Sequence, residues 1–235
     1  MGYTVPRYED APALRAAAEP FLLQREAYNS LILGVARTMT RGPRAESAPR
    51  RRRPLYLTVS GPTGPALVAL SAAGRRLLLA DDGAVDDAAL DALIAALQDA
   101  PQGFPTLFAE ERLAHRFAGR WTAATGQPAT LVERQRLLEL TTVTISPDLP
   151  AGQLRPATVR ESDLLGDWLM DFQNSTGHHD ASDRQATGIL VDGLLARKDL
   201  YVWDVGDRHA PRPVTMAARG RPAGHRPAAN PPGPP

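Results

Sequence analysis

The residues best equipped for chemistry fall in three places. His178, His179 and Asp180 put three metal-capable side chains in a row. Consecutive side chains of a loop or strand point apart, and no further His lies within ordinary motif spacing, so no metal site is expected there. Ser175, His178 and Asp180 have the residue types of a catalytic triad, but neither a nucleophile elbow nor an oxyanion sequence surrounds them, and they read as a polar loop. Arg50 to Arg53, with Arg41 and Arg44 nearby, could grip phosphates, yet no aromatic residue is interleaved and the run reads as a solvated loop. The third place is acidic. Between Leu79 and Asp87 the chain carries Asp81, Asp82, Asp86 and Asp87 around Gly83, four carboxyls that would repel a phosphate at close range.

Composition bounds what such residues can serve. With 235 residues, against about 150 per domain, the chain makes one large domain or two small ones. Its 43% apolar and 23% charged residues suit a globular protein, while 22 prolines, about twice the usual share, argue that part of it is unpacked. A formal charge of +1 supplies no global field, so neither nucleic acid nor an acidic membrane is an expected partner. The absence of cysteine excludes disulfides, thiolate nucleophiles and cysteine-ligated metal. Arg7, Glu9, Asp10, Arg15 and Glu19 break up any secretory signal, and no apolar run approaches the roughly 18 residues of a membrane span. A cytoplasmic protein is expected.

Periodicity supplies the elements that must position these residues. Phe21, Leu22, Tyr28, Leu31, Ile32 and Val35 recur at three and four, which predicts one amphipathic helix from Pro20 to Met39. Leu55, Leu57 and Val59 alternate with Tyr56, Thr58 and Ser60, and Gly61 to Gly64 turns the chain into the apolar run Ala66 to Leu70. With a second turn at Ala72 to Gly74 and the run Arg76 to Leu79, this predicts a three-strand antiparallel meander. Asp86 or Asp87 can cap a helix bearing Leu90, Leu93, Ile94 and Leu97, and Phe104 to Phe108 fits a strand parallel to the one before it. A helix with Leu113, Phe117 and Trp121 follows and ends near Gly126, and Thr130 to Leu140 is strand-like.

Leu149 to Gly152 reads as a linker. After it come a strand at Leu154 to Ala157, a capping box at Thr158 and Glu161, and a helix expected to turn Leu164, Leu165, Trp168 and Phe172 inward. Ser182 or Asp183 opens a helix with Ala186, Ile189, Leu190 and Leu194, followed by strands at Leu200 to Val205 and near Pro213 to Ala218. Residues 219–235 have no large apolar side chain and are expected to be disordered. Their abrupt shift to Ala, Arg, Gly and Pro is the composition expected of a frameshifted or truncated end.

Helix, three-strand meander, helix, strand, helix, strand resembles the order of the GNAT N-acetyltransferase superfamily. Leu154-Arg155-Pro156-Ala157-Thr158, with Asp163 soon after, resembles a second opening of the same fold, and EPFLLQREAYNSLILGV and PATLVERQRLLEL resemble the first half of two-domain bacterial GNAT proteins. The resemblance, over residues 14–218, implies an α+β fold of tandem modules with mixed sheets flanked by helices. Residues 1–150 would form a degenerate module and 151–218 an incomplete one.

The implied activity is acetyl transfer from acetyl-CoA to a small-molecule or peptide amine. GNAT proteins bind the pyrophosphate of acetyl-CoA on backbone amides where the fourth core strand meets its helix, a place that corresponds here to Leu79 to Asp87. Arg221-Pro222-Ala223-Gly224-His225-Arg226 is the nearest substitute in the second half, with prolines that remove amide donors. The first helix of the family flanks the acceptor site, which makes Glu26 and Asn29, three apart, candidates to line a substrate cleft. No catalytic residue is identified. The competing expectation is a catalytically silent binding module. A second module cut after its third strand would expose a sheet edge, so self-association is expected as well.

Overall fold

A computed structural model describes residues 2–40, 54–72, 76–100, 104–142, 144, 152–175, 184–204 and 217–218. The arginine run, His178 to Asp180, the caps at Ser182 and Asp183, most of the 149–152 linker and residues 219–235 lie outside them. The fold is mixed α/β, in two compact units, residues 1–141 and 142–235.

In the first unit β1 (Leu55–Gly61), β2 (Gly64–Ser71) and β3 (Leu77–Asp81) form the expected antiparallel meander. Gly64 closes the first turn at φ +120, a conformation side chains other than glycine rarely adopt. β4 (Leu107–Phe108) joins β3 in parallel after a crossover through α3 (Asp87–Gln98), giving the order β1-β2-β3-β4. It is shorter than the expected Phe104 to Phe108, because Phe104 instead packs its ring 5.1 Å from Trp121. Asp86 caps α3 as expected, and α4 (Glu111–Thr125) ends at Gly126 with φ +72.

The strands are buried on both faces, and their alternation sorts two cores. Leu55, Leu57, Val59, Leu67, Leu77 and Leu79 pack with α3 and α4. Tyr56, Val68, Leu70, Leu78 and Ala80 pack with α1 (Ala11–Leu22) and α2 (Ser30–Thr40). The single helix expected from Pro20 to Met39 is therefore two. Pro20 lies inside α1, which ends two residues later, and a 3-10 turn at Leu23–Arg25 begins a connector that reaches α2. The apolar stripe continues through the break, which is why periodicity alone misses it. Ahead of α1, Thr4 and Arg7 form antiparallel bridges to Ser60 and Leu57.

The strand expected at Thr130 to Leu140 is absent. These residues are exposed and irregular, and among the described residues no strand pairs with them. β4 offers only a two-residue ladder, and Glu133, Arg134, Gln135 and Arg136 interrupt the apolar run, so a strand there has neither an edge nor a dry face.

In the second unit β5 (Gln153–Pro156), β6 (Leu200–Asp204) and β7 (Ala217–Ala218) make an antiparallel sheet in the order β5-β6-β7. α5 (Ser162–Ser175) opens through the expected capping box of Thr158 and Glu161, and α6 (Arg184–Ala196) follows. Two inward assignments are corrected. Of α5's expected stripe only Leu165 is fully buried, whereas Leu164 and Phe172 are 45% and 61% exposed. On α6 the fully buried line is Thr187, Val191 and Leu195 rather than Ala186, Ile189 and Leu190, a phase shift of one residue, and of the expected set Leu194 alone packs, half-buried, against the core. Both helices have apolar residues on more than one face, and only one face meets the small sheet.

The units share an order. Each runs through an extended segment, two helices and two antiparallel strands, and in each the extended segment pairs antiparallel with the first of those strands.

Candidate functional site

The loop from Asp81 to Asp87 joins β3, one of the two parallel strands, to the N-terminus of α3. Free amides at such a place attract anions. Here the chain's own carboxylates take them. The Gly83 amide donates to Asp81. Ala84 N donates to Asp82 Oδ1 at 2.8 Å, and Ala89 N to Asp86 Oδ1 at 2.8 Å. Ala88 N also donates to the Asp86 carboxylate, and these backbone bonds, with the Tyr3 hydroxyl at 2.9 Å, hold Asp86 below the usual aspartate range.

Arginines offset the four negative charges from outside. Arg116 Nη1 donates to the Val85 carbonyl at 2.6 Å and its Nη2 reaches Asp87 at 2.5 Å, while Arg112 donates to the Gly83 carbonyl. Arg120 pairs with Asp87 at 2.9 Å and with Asp91. From the α1–α2 connector, Arg25 Nη1 reaches Asp81 Oδ1 at 3.2 Å. Asp81 is 3% exposed, and burial pushes its carboxyl up against the pull of the Gly83 amide and Arg25. Sequence reading found the carboxylates and missed the arginines. The signal was present: Arg112, Arg116 and Arg120 recur every fourth residue, as do Asp87 and Asp91, so each set lines one helix face.

Beside the loop a cleft lies between β3, the residues that follow β4, and α2. Tyr28, Leu31, Ile32, Leu78, Leu79, Ala80, Phe108 and Glu110 are among its walls. Its interior holds about 20 Å³, room for little more than one water.

Glu26 and Asn29 are not on one helix. Both lie in the α1–α2 connector, where Glu26 is exposed and Asn29 is buried with Nδ2 donating to the Leu22 carbonyl at 2.9 Å. The Asn29 amide is thus committed to the end of α1, within the chain. Ser175 Oγ donates to the Phe172 carbonyl at 2.8 Å, a bond back into its own helix. Among the described residues no group of three His, Asp or Glu side chains is placed to hold a metal.

The second unit's polar cluster is also structural. Arg155 holds Glu161 through two nitrogens, at 2.7 and 3.0 Å, and Asp204 at 2.8 Å. Glu161 accepts further bonds from the Thr158 amide and hydroxyl, each 2.8 Å. This network ties β5, β6 and the start of α5 together.

No family model, curated protein or solved structure matches the chain. Among the described residues no helix is long and apolar enough to cross a membrane.

Proposed function

We propose that the chain is built on the plan of a GNAT N-acetyltransferase, whose members move an acetyl group from acetyl-CoA to an amine, and that its first unit is a non-catalytic module of that plan. The lineage is supported by element order: an extended segment, two helices, an antiparallel meander, then a helix leading to a parallel strand. The first half of that order returns in the second unit. The loss of catalysis rests on one observation, the occupation of the Gly83, Ala84, Ala88 and Ala89 amides by Asp81, Asp82 and Asp86.

A pyrophosphate would have to displace these carboxylates and then sit among them. Each like-charge contact at about 4 Å costs on the order of 1 kcal/mol even in water, and more near a protein surface. The residues present do not fit the CoA phosphates, so the first unit acts as a scaffold or binding module. The test is release of free CoA thiol from acetyl-CoA in the presence of a panel of primary amines. The protein is expected to leave the rate at that of buffer, and turnover that scales with protein concentration would overturn the reading.

A further inference from the structure

We propose that the connector Leu23 to Asn29 is a hinged cover over the β3–β4 cleft and that the Arg25–Asp81 pair is the latch that keeps it shut. The connector leaves α1 through a 3-10 turn and reaches α2 at Ser30. Its own bonds are local: Asn29 N donates to the Arg25 carbonyl at 2.9 Å and Asn29 Nδ2 to the Leu22 carbonyl. Among the described residues, its polar tie to the sheet is Arg25 to Asp81. The helices on either side are anchored differently, by Phe21 and Leu22 before the connector and Ile32, Leu33 and Ala36 after it, all buried. The connector itself leaves Leu23 and Tyr28 40% and 60% exposed. A segment held by apolar packing at both ends and by one ion pair between them can swing without unfolding its neighbours.

The geometry of the latch is specific. The Arg25 guanidinium lies 4.4 Å from the centre of the Tyr28 ring, so Tyr28, which walls the cleft, is carried by the same side chain that grips Asp81. Gly83, at φ +89, leaves room for it, since a Cβ there would stand 2.9 Å from Arg25 Nη1. Asp81 is buried, and the charges that act on it are Arg25 from the connector, Asp82 from its own loop and Glu110 from the start of α4. The two carboxylates oppose its ionised form, and the Gly83 amide of its own loop and Arg25 of the connector favour it. Removing either partner therefore removes the connector's polar tie to the sheet.

The full chain contains no cysteine, so a single introduced thiol reports opening. Ala80 lines the cleft and is 4% exposed, whereas Ala69 is 1% exposed in the core on the opposite face of the sheet. Ala80→Cys and Ala69→Cys are labelled with iodoacetamide in the native background and again with Asp81→Asn or Arg25→Met, which keep the volume and the stem. Either latch variant is expected to raise the labelling rate at position 80 about tenfold and leave position 69 within about twofold. An unchanged rate at position 80, or an equal rise at both positions, overturns the proposal.

Discussion

Asn29 Nδ2 donates to the carbonyl of Leu22 at 2.9 Å, closing the break between α1 and α2. The carbonyl belongs to the last residue of α1, where the α-helix gives way to the 3-10 turn at Leu23–Arg25, and the Asn29 amide is buried beside it.

Asn29→Ala is expected to lower stability by about 1 kcal/mol, the net worth of one buried hydrogen bond. Asn29→Asp is expected to do at least as much harm, because a carboxylate cannot donate to the carbonyl. Urea unfolding of both variants checks this, and native stability in Asn29→Asp would contradict the role given to the amide.

The acid response of the second unit follows from Glu161. Its carboxyl is drawn down to about 2, chiefly by Arg155, with the Thr158 amide and hydroxyl adding to the effect. A group depressed in the folded state contributes stability above its unfolded value of about 4.3, and that contribution is lost as pH falls from there toward 2. Glu161→Gln should therefore melt at a lower temperature than the native chain at pH 7, with the gap closing by pH 2–3. A gap of constant size across that range in thermal melts would contradict this.

Residues 128–140 are exposed and unpaired with any described strand, and they contain Arg134 and Arg136. Trypsin needs an extended, accessible backbone, which this segment presents and α4 does not. Cleavage at Arg134 or Arg136 is expected before cleavage at Arg116 or Arg120, as mass spectrometry of a digestion time course would reveal.

Phe172 and Ile189 leave 61% and 68% of their surfaces in water. Substituting both with Ser should lower stability by no more than about 2 kcal/mol, the share of two large apolar side chains that is buried. It should also weaken any self-association of the full chain, measured by sedimentation, since exposed apolar area drives it. A large loss of stability would show that these side chains are packed.

Much of this architecture could be read from the residues. The meander was legible because Leu55 to Leu79 is three apolar runs cut by turns, and α3 because Asp86 stands directly before a stripe of leucines. Thr158 and Glu161 announced α5. The break between α1 and α2 is hidden because Phe21 to Val35 keeps its apolar spacing across a connector whose two ends one buried amide joins. Residues 130–140 misled because strand propensity describes a side chain's fit to a sheet and says nothing about whether a sheet edge is within reach. On α6 the apolar spacing points one residue out of phase, since Ile189 and Leu190 are as apolar as the buried Val191 and Leu195. At the loop, the sequence displayed the aspartates as a source of repulsion. That they cap the loop's own amides depends on backbone geometry, and that Arg25 comes from a distant connector depends on tertiary structure.

The account turns on whether the Asp81 to Asp87 loop is already filled by its own carboxylates, and calorimetric titration of the full chain with acetyl-CoA asks this directly. The expected result is no saturable heat up to about 1 mM ligand, a binding free energy weaker than about −4 kcal/mol. A saturable isotherm with micromolar affinity, about −8 kcal/mol, would contradict it.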